Sequence, residues 1–111
     1  MNSMGNLKGN LKTILLRHEG PERAITAGTL AHMFGHKDDR AVRLAIRDLI
    51  AEGLPVASST KDGYFIVTNR QQAEQYALSI RNRLIEDAIR RRDFRRAADQ
   101  WLTPAIQQKL I

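Results

Sequence analysis

The chain has 111 residues, of which 42% are hydrophobic and only 5% aromatic, and its formal net charge is +6. This length suits one domain with a modest core, packed mostly from Leu, Ile, Val and Ala. The basic balance favours a polyanionic partner over an acidic small molecule, and the absence of cysteine excludes disulfides and thiolate metal sites.

A first helix is predicted from Leu7 onward. Apolar residues at i, i+4, i+7 and i+8 share one helical face, namely Leu7, Leu11, Ile14 and Leu15. Gly9 weakens the first turn, so we expect the helix to begin near Asn10, a suitable N-cap. Gly20-Pro21 ends the helix, and residues 24–25 are expected to form a brief strand.

A second, shorter helix is predicted over residues 27–34. Thr26 is suited to cap it, because its hydroxyl accepts a hydrogen bond from a free amide one turn later. Leu30 and Phe34 are expected in the core. Gly35 suits the left-handed conformation that closes a helix.

The clearest helical pattern covers residues 39–52. Five apolar residues form a stripe that faces the core: Val42, Ala45, Ile46, Leu49 and Ile50. The opposite side carries Leu44 and three arginines: Arg40, Arg43 and Arg47. Asp38 or Asp39 is predicted to cap this helix, where a carboxylate also suits the positive end of the helix dipole. Gly53 ends the helix.

A β-hairpin is predicted next. Residues 54–59 are compatible with a strand, residues 60–63 have turn chemistry with an Asp-Gly pair, and residues 64–67 have strand composition. Both faces of the second strand are apolar. The pattern therefore leaves open which pair faces the core: Tyr64 with Ile66, or Phe65 with Val67.

A long helix is predicted from Gln71 to about Gln100, a stretch without Gly or Pro. Thr68 or Asn69 caps it. Its apolar stripe consists of Ala73, Ala77, Ile80, Leu84 and Ala88. Such a helix is ~45 Å long at 1.5 Å per residue, more than a globule of this size covers. We therefore expect a first domain at residues 1–69 and a helical extension at 70–111. The extension is expected to form a homodimer or homo-oligomer, or to bind another partner.

Three segments resemble a known family: ITAGTLAHMFG, DDRAVRLAIRDLIAEGLPV and ASSTKDGYFIV. With the first helix, they resemble a winged helix-turn-helix domain over about residues 7–69. The pattern xVRxxIxxLxxEGxPVxSS…GYFI, followed by a long polar helix, is also similar to small winged-helix proteins of phages and prophages. The resemblance implies an α+β, mostly α fold, with three helices and a β-hairpin wing followed by a long C-terminal helical extension.

The resemblance also implies a partner, double-stranded DNA. In a helix-turn-helix the second helix lies in the major groove, where an arginine fork donates two hydrogen bonds to guanine. We expect Arg40 and Arg43 to contact bases, and Arg47 to contact bases or phosphate. Leu44 is suited to a thymine methyl, and Lys37 is a further candidate contact. The alternative is a solvated face in which the arginines pair with acidic neighbours: Asp39, Asp48 and Glu52.

In that family the hairpin is the wing, which lies along the DNA backbone or minor groove. Hydroxyl and ammonium groups hydrogen-bond phosphates, and the hairpin offers them at Ser58, Ser59, Thr60 and Lys61, with Lys61 the best single candidate. The alternative is an ordinary polar loop. Thr29, at the start of the second helix, is expected to reach phosphate through the helix N-terminus, although capping alone accounts for Thr26.

Residues 90–96, RRRDFRR, contain five arginines and one aspartate. Three interpretations stay open: a grip on the DNA backbone, binding of an acidic protein, and a solvated helix face. The candidates for contact with DNA are Arg90, Arg91 and Arg95. The apolar residues nearby favour packing within or between chains over base stacking: Phe94, Trp101 and Leu102. A last apolar fragment follows Pro104.

No catalytic, cofactor or metal site is predicted. The three histidines have no ligand spacing with a carboxylate, and nucleophile motifs, phosphate-binding glycine loops and paired carboxylates are missing from the sequence. We therefore expect a non-enzymatic protein with no small-molecule substrate. No apolar run approaches the ~20 residues of a membrane span, and MNSMGNLKGNLK lacks a signal-peptide core, so we expect a cytoplasmic protein without a membrane partner.

The leading hypothesis is a sequence-specific double-stranded DNA-binding protein in transcriptional regulation or in phage- or plasmid-type replication initiation. The arginines of residues 40–47 would give selectivity, while the hairpin and residues 90–96 would supply much of the electrostatic affinity. The alternative is a protein-interaction module that docks its basic C-terminal helix on a replication or transcription machine. A third hypothesis is non-specific, architectural DNA binding.

Overall fold

The computed structural model describes residues 3–59, 61 and 63–103. Within them the protein is mostly helical, with one two-stranded antiparallel hairpin. Its elements are α1 Ser3–Leu15, a 3₁₀ turn Pro21–Arg23, α2 Ala27–Met33, α3 Arg40–Ala51, β1 Val56–Ser59, β2 Gly63–Ile66 and α4 Arg70–Trp101. The chain divides into a first compact unit up to Tyr76 and a second from Ala77 onward. The first two turns of α4 therefore belong to the first unit.

The core of the first unit is formed by one face each of α1, α2 and α3 with the inner face of the hairpin. These residues form one buried cluster: Leu7, Leu11, Leu15, Ala27, Leu30, Ala31, Val42, Ile46, Leu49, Val56 and Ile66. Because α1 begins at Ser3, the expected start near Asn10 is wrong. Burial of Leu7, which is 7% exposed, outweighs the ~1 kcal/mol that a glycine such as Gly9 costs within a helix.

α2 begins where the sequence predicts. Thr26 Oγ1 accepts a 3.1 Å hydrogen bond from the amide of Thr29, and the helix closes before Gly35, whose φ is 74°. Leu30 is fully buried, whereas Phe34 is only half-buried against the core. The buried face of α2 therefore consists of Ala27, Leu30 and Ala31, with Phe34 packed at its edge.

The brief strand expected at residues 24–25 is reduced to one antiparallel bridge between Ile25 and Tyr64. These two residues exchange both backbone hydrogen bonds, at 2.8 and 2.7 Å. Gly63 permits this close approach, since its φ is 101° and a Cβ there would overlap the backbone of Ile25 and Thr26. The bridge fixes the hairpin against the segment that leads into α2.

The side chain of Asp38, rather than that of Asp39, caps α3. Asp38 Oδ1 accepts a 3.0 Å hydrogen bond from the amide of Arg40, while the side chain of Asp39 makes no capping bond. Three residues of the predicted stripe are buried: Val42, Ile46 and Leu49. The placement of Ile50 in the core is wrong, since it is 44% exposed. It lies at the edge of the stripe and lines a surface cleft.

The hairpin register decides which face of β2 meets the helical core. Val56 lies opposite Ile66, and opposed residues share a face of the sheet. Ile66 is part of the core and Tyr64 packs against it, so these two residues form the inner face. On the other face Phe65 and its partner Ala57 are also buried. β2 starts and ends one residue earlier than predicted. Thr60 and Asp62, which the sequence places in the turn, lie outside the described residues.

α4 begins at the second of its two candidate caps. Asn69 Oδ1 accepts a 2.8 Å hydrogen bond from the amide of Gln72, whose own Oε1 accepts a 2.8 Å bond from the amide of Thr68. The helix extends to Trp101, close to its predicted end. The apolar fragment expected after Pro104 lies outside the described residues. No helix among the described residues is long and apolar enough to cross a membrane.

Candidate nucleic-acid interface

The outward face of α3 carries four of the residues expected to contact DNA. The opposite face is buried in the core, which leaves these side chains exposed: Arg40, Arg43, Leu44 and Arg47. Spacings of three and four residues align the arginines along the helix. The fold therefore brings these predicted residues together on one accessible surface.

Arg43 is held in place by two neighbours. Its Nε donates to Asp39 Oδ2 at 2.8 Å, its Nη2 lies 2.8 Å from the same oxygen, and its Nη1 donates to the Tyr64 hydroxyl at 3.3 Å. The hydrogen bond to Asp39 is the main reason that the pKa of Arg43 is raised above its ordinary value. The Nε edge of this guanidinium must therefore exchange Asp39 for a base edge before it can contact DNA.

Arg40 and Arg47 have more freedom than Arg43. Within the part of the chain that the structure describes, neither side chain has an ion pair or a hydrogen bond. Of the three acidic neighbours considered from the sequence, only Asp39 pairs with an arginine of this face. Glu52 instead forms an ion pair with Lys8 of α1. Arg40 and Arg47 thus keep their guanidinium donors available for a ligand.

A surface cleft of about 330 Å³ lies between α3, the hairpin and the first turns of α4, within the first unit. Its lining residues are Arg43, Ile46, Arg47, Ile50, Ser58, Tyr64 and Tyr76. The hydroxyls of Ser58 and Tyr76 lie 3.2 Å apart, so α4 is tied to β1 at this point. The sequence did not indicate either tyrosine as part of the interface. The hairpin register would have placed Tyr64 opposite Ser58, but no sequence signal points to Tyr76.

The hairpin and the turn before α3 supply further polar groups. Ser59 and Lys61 are exposed at the end of the hairpin, Ser58 is half-buried, and Thr60 lies outside the described residues. Lys37 is exposed in the turn between α2 and α3. Two of the four predicted wing residues are therefore exposed.

Thr29 acts as a partner of the α2 cap. Its amide donates to Thr26 Oγ1 at 3.1 Å, and its hydroxyl accepts a 2.8 Å hydrogen bond from the Thr26 hydroxyl. The Thr29 amide is thus already satisfied within the protein. The expected route to phosphate through this helix N-terminus therefore depends on the Thr29 hydroxyl, whose own hydrogen neither bond uses.

The arginine cluster of α4, residues 90–96, lies in the second unit. Two exposed ion pairs involve it: Arg90–Asp87 at 3.5 Å and Arg92–Asp93 at 3.1 Å. Arg91 and Arg95, two of the predicted contacts, have no ion pair among the described residues. Exposed ion pairs of this kind contribute little, so the cluster keeps its positive character.

Among the described residues, no group of three or more histidine, aspartate or glutamate side chains is placed to hold a metal ion. No protein-family model, curated protein or solved structure matches the chain. Its function is therefore inferred from the geometry of α3, the hairpin and α4.

Proposed function

We propose that this protein is a sequence-specific double-stranded DNA-binding protein whose first unit is a winged helix-turn-helix, acting in transcriptional regulation or in phage- or plasmid-type replication initiation. The observation that carries the proposal is the outward face of α3, where Arg40 and Arg47 are exposed without an acidic partner among the described residues. α3 follows α2 after a short turn and precedes the hairpin, an order that suits a helix-turn-helix with a wing.

In this proposal α3 lies in the major groove of the DNA. An arginine there donates two hydrogen bonds to O6 and N7 of guanine. Arg40 and Arg47 are about 10 Å apart along the helix axis at 1.5 Å per residue, which equals roughly three base-pair steps of 3.4 Å. Leu44 lies between them and offers an apolar contact for a thymine methyl. One face of α3 thus supplies two guanidinium groups for guanine and one apolar side chain for a thymine methyl.

Arg43 contributes selectivity in a different way. Asp39 and Tyr64 hold its guanidinium in the free protein. A base with two hydrogen-bond acceptors compensates for the lost hydrogen bond to Asp39. A mismatched base leaves the guanidinium with fewer hydrogen bonds than it has in the free protein. The ion pair with Asp39 therefore disfavours binding to the wrong sequence.

Contacts with phosphate supply the remaining affinity. Lys37 and Lys61 are exposed at the turn and at the hairpin, and residues 90–96 add the densest positive charge in the chain. Each phosphate contact releases counterions, so log K is expected to fall by ~0.9 per contact for each unit of log salt. Binding is therefore expected to be strongly salt-dependent.

Selection of bound duplexes from a random pool, followed by affinity measurements, tests this function. Arg47→Ala is expected to weaken binding to the selected site by ~1–3 kcal/mol and to relax the preference at one position. Arg17→Ala is the matched control, because it removes an exposed arginine that follows the end of α1. The control should leave the selected sequence unchanged. The proposal fails if no duplex is retained at low salt, and equal affinity for all duplexes would favour an architectural role.

A protein-interaction module is the second candidate function, and the exposed apolar residues of α4 favour it. Phe94 and Trp101 are 70% and 59% exposed, an arrangement that suits a protein surface better than a phosphate backbone. This candidate predicts a protein partner that is bound equally well after substitution of Arg40 and Arg47. Loss of the partner in those variants would count against it.

A further inference from the structure

A heptad pattern extends along α4 from Ala77 to Trp101. Residues that alternate in spacing between three and four lie on one face of the helix, as in a coiled coil. Six of them are apolar: Ala77, Ile80, Leu84, Phe94, Ala98 and Trp101. The two central positions are charged, Asp87 and Arg91. We call these eight residues the α4 seam.

The α4 seam is largely exposed in the single chain. Leu84 is 65% exposed, and Phe94 and Trp101 are 70% and 59% exposed. A sustained heptad of exposed apolar residues is the surface along which helices pair, because each residue can fit between four residues of a facing helix. The α4 seam therefore has the form of an unoccupied helix-pairing surface.

We infer that two copies of the chain pair through the α4 seam, with their α4 helices antiparallel and the centre of the pair between Asp87 and Arg91. The occupant is a second copy because the charge pattern of the seam is self-complementary. When the helices are antiparallel about this centre, Asp87 of each copy faces Arg91 of the other. One twofold axis thus produces two identical ion pairs.

On either side of the charged centre this register sets Leu84 opposite Phe94, Ile80 opposite Ala98 and Ala77 opposite Trp101. The last two layers match a large residue with a small one, which allows close packing without overlap. A parallel pair in register would instead place like charges together at both central positions and would set tryptophan against tryptophan and alanine against alanine.

The central charges specify orientation and register. Asp87 already lies 3.5 Å from Arg90 on its own helix, and Arg91 has no ion pair among the described residues. Leaving a charge without a partner inside a helix pair is far more costly than leaving it in water. Every register that separates Asp87 from Arg91 of the second copy is therefore disfavoured, as with polar residues at core positions of coiled coils.

The mass of the full chain, measured without DNA by analytical ultracentrifugation or light scattering, tests the inference. Measurement at high salt screens the repulsion between exposed arginines that flank the seam, such as Arg81 and Arg95. We expect a mass of two chains at micromolar concentration. Asp87→Arg and Arg91→Asp should each raise the dimer dissociation constant by roughly 100-fold, because each sets like charges together twice.

Mixing the two variants gives the sharpest result. In an equimolar mixture of Asp87→Arg and Arg91→Asp chains, unlike charges again meet at both central positions, so a mixed dimer should form. Glu86→Arg is the matched control, because it makes the same charge change at the neighbouring residue, off the seam. This control should remain a dimer. Circular dichroism of each variant establishes that α4 stays helical.

Three results would overturn the inference. A wild-type chain that keeps the mass of one chain would leave the seam to another partner. Single variants that remain dimers would exclude the ion pair at the centre. Helical variants that fail to associate on mixing would exclude the antiparallel register. The inference goes beyond DNA binding and is tested without DNA, so its failure would leave the proposed function standing.

Discussion

Removal of the Asp39 carboxylate is expected to strengthen DNA binding. Asp39→Ala releases the Nε edge of Arg43 and leaves the 3.3 Å hydrogen bond to Tyr64 in place. The side chains of Arg43 and Asp39 are 59% and 36% exposed, and an exposed pair four residues apart on a helix contributes ~0.3–0.5 kcal/mol. In Asp39→Ala, DNA binding no longer has to break this ion pair. The affinity for the selected site should therefore rise about twofold.

Asp38→Ala is the matched control for this prediction. It removes the same charge one residue earlier, so the change in repulsion of phosphate is similar in both variants. It also removes the hydrogen bond to the Arg40 amide, a cap whose loss costs ~1 kcal/mol and lowers Tm by about 4–8 °C in a domain of this size. Asp38→Ala should therefore melt earlier than Asp39→Ala and bind the site less tightly.

Fluorescence anisotropy with the selected duplex and a random duplex, together with thermal unfolding, measures both effects. Asp39→Ala is expected to have both the higher affinity and the higher Tm of the two variants. Equal affinities of the two variants would refute the idea that Asp39 restrains Arg43. A lower Tm for Asp39→Ala would refute the assignment of the cap to Asp38.

Three further predictions concern the scaffold. Gly63→Ala should lower the free energy of unfolding by at least ~1–2 kcal/mol because of the positive φ, and by more because a Cβ would overlap the backbone. Gly28→Ala is the control, since a Cβ there meets no atom within 4 Å, and it should not destabilise the protein. Urea unfolding compares the two variants. Ile46→Ala, at a side chain 1% exposed, should lower the free energy of unfolding by ~2–5 kcal/mol, seen as a lower urea midpoint. The hydrogen bond to Glu52 raises the pKa of Lys8 above its ordinary value. This contribution to stability is therefore lost as pH rises through the raised pKa, and the loss should disappear in Glu52→Gln.

The hairpin determines more of the candidate interface than its short strands indicate. Tyr64 accepts a hydrogen bond from Arg43 through its hydroxyl and bonds Ile25 through its backbone. One residue thus links the outward face of α3 with the segment that leads into α2. Because Gly63 permits this approach, a change at the hairpin is expected to alter both stability and the position of Arg43.

The heptad of α4 is present in the sequence, but a stripe defined by apolar residues alone does not include its two charged positions. That stripe continued from Leu84 to Ala88 and passed over Asp87 and Arg91, because charged residues do not count toward an apolar pattern. The continuous helix to Trp101 places both charges on the same face as the apolar residues before and after them. The signal was the alternating spacing rather than hydrophobicity.

By itself the sequence determined the elements whose causes are local. The cap at Thr26, the left-handed glycine at position 35 and the buried stripe of α3 involve residues within a few positions of one another. Asn69 at the start of α4 belongs to the same class. Capping bonds and helical periodicity involve residues within one or two turns, so a short stretch of sequence is enough to predict them.

Only the tertiary structure decided the contacts between residues that are distant in the chain. Glu52 could have paired with an arginine of α3, but it pairs with Lys8, 44 residues away. Arg43 meets Tyr64 across 21 residues. The local alternatives at such sites differ by less than the few tenths of a kcal/mol that an exposed ion pair contributes. The packing of α1, α3 and the hairpin therefore selects among them, and it leaves Arg40 and Arg47 as the unpaired arginines of the outward face in the described chain.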